Sequence, residues 1–180
     1  MPSSDRQPPE WVEDIGGVPP MSPGQRVSIT RRLRPGKYIF VCFLSAPNGK
    51  LHYQLGMKKQ FTVAGDTGAR PPKVDGIVFA RDKTMEVPTV GPGRRTLELR
   101  NAAKEPREFD LVTFEPGRGP RDLDRWAEGG GKGKAPAKLL GAMQSIGPGT
   151  SVFLTATFER GRTYYFSDNE TNLRGRFTAR

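Results

Sequence analysis

The chain holds one cysteine, Cys42, and one histidine, His52, and these two residues bound its chemistry. A single cysteine forms no internal disulfide and no multi-cysteine zinc site. A single histidine removes most imidazole-based acid–base catalysis and any cage of several histidines. A cysteine nucleophile also needs an orienting third group and an oxyanion donor, and nothing along the chain marks either. Cys42 stands in the apolar run Ile39-Phe40-Val41-Cys42-Phe43, which favours an inert strand thiol. The stretch from Gly129 to Lys134 has the glycines of a phosphate loop. A Walker motif needs Gly-x4-Gly-Lys-Ser/Thr, however, and Glu128 and Ala135 occupy the first glycine and hydroxyl positions. It reads as a linker. No enzyme is expected.

The formal net charge is +10, from 29 basic and 19 acidic residues. Such an excess suits an anionic polymer as partner, but it is spread evenly over residues 1–64 and 65–180, which argues against one dedicated face. Arg26, Arg32 and Arg34 fall on one side of an alternating run and form the candidate anion-binding stripe; a solvated outer sheet face is the alternative. No aromatic residues interleave with it, so nucleic acid is not expected. The longest apolar run, Ile39 to Leu44, is far short of a membrane span. The first thirty residues hold no apolar signal core, which taken alone reads as cytoplasmic.

The elements that must position these residues are strands. Residues 26–34 alternate, with Val27, Ile29 and Leu33 pointing one way, and 37–43 form a second, more central strand after the Pro35-Gly36 break. Residues 60–63 close the segment, and the polar stretch 65–72 is a linker. Further strands are expected at 77–79, 95–101, 108–114, 151–158 and 163–167. One helix is expected over 120–128, where Leu123, Trp126 and Ala127 share a face and Gly129 stops it.

The chain also repeats itself. Ser22-Pro23-Gly24-Gln25-Arg26-Val27-Ser28-Ile29-Thr30 answers Gly147-Pro148-Gly149-Thr150-Ser151-Val152-Phe153-Leu154-Thr155, and Gln60-Phe61-Thr62 answers Arg176-Phe177-Thr178. Residues 15–63 therefore recur in 140–179, while 73–135 have no counterpart upstream. The chain reads as one and a half repeats.

The pattern from Ser22-Pro23-Gly24 through Pro35-Gly36-Lys37-Tyr38 and Cys42 to Met57 and Phe61-Thr62-Val63 resembles the C-terminal half of a cupredoxin-like domain. Residues 96–117 resemble the N-terminal half. The resemblance implies an all-β Greek-key sandwich: a half-domain at 1–64, the linker, and one complete domain at 73–180. It implies copper ligands at Cys42, His52 and Met57, with nine residues between Cys42 and His52 folded back through a Pro47-Asn48-Gly49 turn. In the complete domain it places Arg107 and Ser167 at lost ligand positions, and a guanidinium is no copper ligand. Glu105, Glu108 and Asp110 beside Arg107 read as surface ion pairs. The leading expectation is a non-catalytic binding or structural protein with degenerate copper sites and no cofactor. The alternatives are an electron-transfer copper protein using Cys42, His52 and Met57, and a basic polyanion-binding protein. The resemblance implies an extracytoplasmic place, and the exposed edges of a half-domain suggest a protein partner or a homodimer.

Overall fold

The computed structural model describes residues 11–65 and 68–180. The chain divides into two compact units: residues through Thr30 together with Pro72–Arg180, and Arg31–Pro71.

The larger unit is a two-layered sandwich. Its first sheet has the order β1-β9-β6-β4-β5, from β1 (Ser28–Thr30), β4 (Gly76–Ala80), β5 (Met85–Glu86), β6 (Gly93–Asn101) and β9 (Ser151–Phe158). The second has the order β11-β10-β7-β8, from β7 (Arg107–Phe114), β8 (Ala137–Ile146), β10 (Thr163–Asp168) and β11 (Leu173–Thr178). The chain crosses between sheets at β6 to β7, β8 to β9 and β9 to β10, so the strands are connected in Greek-key fashion. Alternation along each strand supplies the core: Leu97, Leu99 and Leu154 of one sheet join Phe109, Leu111 and Phe166 of the other, all fully buried. Tyr164 and Phe177 stack across β10 and β11 with ring centroids 5.4 Å apart. The helix α1 (Pro120–Glu128) lies where the pattern put it; Pro120 opens it, and the Asp122 carboxylate accepts from the Gly119 N–H at 3.0 Å.

The smaller unit is the hairpin of β2 (Gly36–Val41) and β3 (Lys58–Val63), joined by a loop with one 3-10 turn at His52–Leu55. Among the described residues no helix is long and apolar enough to cross a membrane.

Two expectations change. The strand foreseen at 26–34 is only Ser28–Thr30, because β1 adds antiparallel to the edge of β9, with Ile29 opposite Leu154. The smaller unit therefore begins after Thr30 and ends at Pro71. The segment before β1 is tied to the same sandwich: the Gln144 N–H donates to the Gly17 carbonyl (2.9 Å), and a Cβ on Gly16 would stand 2.0 Å from the Gln144 carbonyl oxygen. Arg26 and the pair Arg32 and Arg34 consequently belong to different units and do not share a strand. The second change is β8, which the pattern did not show. Its run Ala-Lys-Leu-Leu-Gly-Ala-Met has helix-favouring residues, and positive φ at Gly141, Ala142 and Ser145 breaks its alternation.

Candidate functional site

In Arg31–Pro71 the strand period sets Tyr38, Phe40 and Cys42 along one side of β2, and the rings of Tyr38 and Phe40 stack on Phe61 of β3 at 5.4 and 5.0 Å. The nine residues after Cys42 fold back as expected. The Gly49 N–H donates to the Ala46 carbonyl (2.9 Å), Ala46 N–H to Lys50 (2.8 Å), and the Asn48 side chain accepts from the Lys50 N–H (3.1 Å). This turn returns the chain to Cys42: His52 N–H donates to Leu44 (2.8 Å) and Tyr53 N–H to the Cys42 carbonyl (2.9 Å). The 3-10 turn then ends at Gly56, whose φ of 100° only glycine adopts without strain. Met57 N–H donates to His52 (2.9 Å) and Cys42 N–H to Met57 (3.2 Å), so three backbone bonds link the positions of Cys42, His52, Tyr53 and Met57. The side chains follow: Cys42 Sγ lies 3.5 Å from His52 Nδ1, both half-buried, and Met57 is exposed. Among the described residues no group of three His, Cys, Asp or Glu side chains gathers as a metal site, so any set here depends on the thioether.

The hairpin of β10 and β11 repeats that of β2 and β3. Tyr38 pairs with Phe61 and Tyr164 with Phe177; each pair stacks at 5.4 Å, with interplanar angles of 19° and 21°. Counting four residues on from each tyrosine leads to Cys42 in one hairpin and Asp168 in the other. Asp168, not Ser167, therefore stands at the position of Cys42; the run from Gly161 to Tyr164 is one residue longer than that from Gly36 to Tyr38.

Arg107 and Asp168 meet inside the sandwich. Arg107 Nε is 3.7 Å from Asp168 Oδ2, with side chains 7% and 0% exposed. Neither of these two atoms has a hydrogen bond, although the Glu170 and Thr171 N–H groups donate to Asp168 Oδ1 at 3.1 and 3.4 Å. The surface ion pairs foreseen for Arg107 are thus replaced by one buried pair, because β7 turns the guanidinium inward toward the end of β10. Asn101 holds the turn that delivers it. Fully buried, it donates to the carbonyls of Glu105 and Ile146 and accepts from the Ala103 N–H, each at 2.8 Å.

Carboxylates crowd the rim. Burial pushes Glu108 up to about 7, helped by Asp110, Glu170 and Asp168. Burial also pushes Asp110 up to about 6, against the Asn169 amide that donates to it. Both groups bind protons more tightly folded than unfolded, so they stabilise the fold at low pH and lose that contribution as pH rises through 6 to 7. After a discount for the solvent reaching Glu108, the loss between pH 5 and 8 is about 2 kcal/mol. Urea midpoints measured across that range should fall with pH, and Glu108→Gln should flatten the slope. A midpoint that holds or rises toward pH 8 would contradict this.

No protein-family model and no curated protein matches the chain. Solved structures similar to it include two auracyanins. One is dithionite-reduced auracyanin from the photosynthetic bacterium Roseiflexus castenholzii, at 20% identity over 58% of this chain and 95% of that one, with a TM-score of 0.40. The other is auracyanin B, at 10% identity over 62% of this chain and 93% of that one, with a TM-score of 0.39. By its own strand order, two sheets packed over one core with Greek-key crossings, the chain has a Greek-key β-sandwich fold.

Proposed function

We propose that this cupredoxin-related protein is a non-catalytic binding protein with one copper-competent loop, selective for Cu(I), at Cys42, His52 and Met57. The observation that carries the reading is the 3.5 Å approach of Cys42 Sγ to His52 Nδ1 within a loop closed by backbone hydrogen bonds. The donor set fits the ion: a thiolate, an imidazole and a thioether are soft ligands, and three of them suit Cu(I). Stable Cu(II) would call for a second imidazole, which this chain does not contain. When bound, the ion supplies a soft, colourless d10 centre; the loop orients Cys42 and His52 toward it. The larger sandwich is read as metal-free, with the Arg107–Asp168 pair at its lost site. The resemblance implies a location outside the cytoplasm.

Titration of the purified chain with Cu(I) against a competing chelator tests this. Stoichiometric binding is expected, Cys42→Ser should abolish it, and His52→Ala should weaken it about tenfold or more. Met57→Leu should lower Cu(I) affinity and leave Cu(II) uptake unchanged. An intense visible band on adding Cu(II) to the monomer would overturn the Cu(I) assignment, and stoichiometric copper in the Cys42→Ser protein would overturn the site.

A further inference from the structure

We propose that the open edge of β2 is an interaction surface that receives an acidic, alternately apolar strand from another polypeptide. The chain carries its own template for this. In the larger unit the hairpin of β10 and β11 is not left as a pair: β7 lies against β10, with Tyr165 opposite Val112, Phe166 opposite Leu111 and Ser167 opposite Asp110. The hairpin of β2 and β3 has the same register and ring geometry, yet among the described residues β2 pairs with β3 alone.

Burial records the difference. Phe166 is fully buried, whereas Phe40, at the matching position, is 67% exposed. Tyr164 and Phe177 are buried; Tyr38 and Phe61 are only half-buried. No described residue of 31–71 is buried at all, and Phe43, Leu44 and Leu55 are exposed beside the same loop. A two-stranded hairpin with an uncovered aromatic face is marginal in water, and its free edge offers backbone donors and acceptors to an incoming strand.

Charge narrows the occupant. No Asp or Glu stands between Arg31 and Gly65, while Lys37, Lys58 and Lys59 are exposed on the two strands. The strand β7 that serves the matching hairpin alternates Glu108 and Asp110 with its core residues Phe109 and Leu111. A partner strand with that pattern would bury apolar side chains against Phe40 and Phe61 and set carboxylates among the lysines. The inference does not depend on copper.

The probe is a synthetic peptide of residues 104–115, added to the full chain without metal. Hydrogen exchange at the β2 amides should slow about tenfold or more with it, and not with a scrambled peptide. Register is read by disulfide trapping on Cys42, the chain's one thiol. One residue beyond the Ser167–Asp110 pair, Phe109 takes the place opposite Cys42, so the F109C peptide should crosslink about tenfold faster than the D110C peptide, whose thiol faces away. Unchanged exchange, or equal trapping of the two peptides, overturns the proposal. So does a protein that is dimeric alone with its β2 amides already protected, because a second copy would then hold the edge. Failure of either kind leaves the Cu(I) titration unaffected.

Discussion

Arg107→Leu is expected to cost the sandwich about 3–5 kcal/mol of unfolding free energy. The guanidinium is 7% exposed and its partner, Asp168, is fully enclosed, so removing the cation leaves a carboxylate with no counter-charge where water does not reach. The two N–H groups on Asp168 Oδ1 soften this without neutralising it, and Oδ2 has no hydrogen bond to fall back on. The pair itself need not be stabilising, because two charges were desolvated to make it. The double variant R107L/D168L should therefore recover most of what the single change loses. Chemical denaturation of the single variant, the double variant and the parent checks both halves. A single-variant loss under about 1 kcal/mol, or a double variant as unstable as the single, would show that the two side chains are not coupled.

Asn101→Ala is expected to cost about 3 kcal/mol, through the loss of its two buried hydrogen bonds to the Ile146 carbonyl and the Ala103 N–H and a part-buried one to the Glu105 carbonyl. The side chain joins Glu105, Ile146 and Ala103 at 2.8 Å each, tying the end of β6 to the end of β8 and to the turn that leads into β7. Aspartate at 101 retains the acceptor for Ala103 but offers no donor to the two carbonyls, so it should be no better than alanine. The same substitution should raise exchange at the amides of 102–107, because that turn carries Arg107 into the interior. A thermal midpoint within a degree or two of the parent would contradict the argument, since a loss this large corresponds to many degrees in a chain of this size.

Much of the architecture was legible. Apolar, strand-forming runs mark β2, β4, β6, β7, β9 and β10, all of which except β2 set a face on the core, and α1 is legible because its apolar residues return at i, i+3 and i+4 ahead of a glycine. The Pro47-Asn48-Gly49 turn was legible for the same local reason, and with it the return of His52 toward Cys42. What escaped were elements whose local preference opposes their state. β8 has the composition of a helix, and only pairing along its whole length with β7 makes it a strand. Ser167 stands one residue short of the position matching Cys42 because the second hairpin carries an extra residue before Tyr164, and a one-residue slip in a strand exchanges its two faces.

By itself the sequence determined the chemistry on offer: one thiol, one imidazole, a methionine at loop spacing, no second histidine, and strands long enough for a sandwich. Those are properties of composition and near neighbours, which local physics decides. Only the tertiary structure decided that β1 joins β9, that Arg107 is enclosed against Asp168, and that two hairpins of one pattern differ in whether a third strand covers them. Each of these depends on which strand lies alongside which across fifty or more residues, or on a partner from elsewhere. An unpaired strand edge satisfies any compatible strand alike, so its partner is chosen by the assembled surface and not by the local pattern.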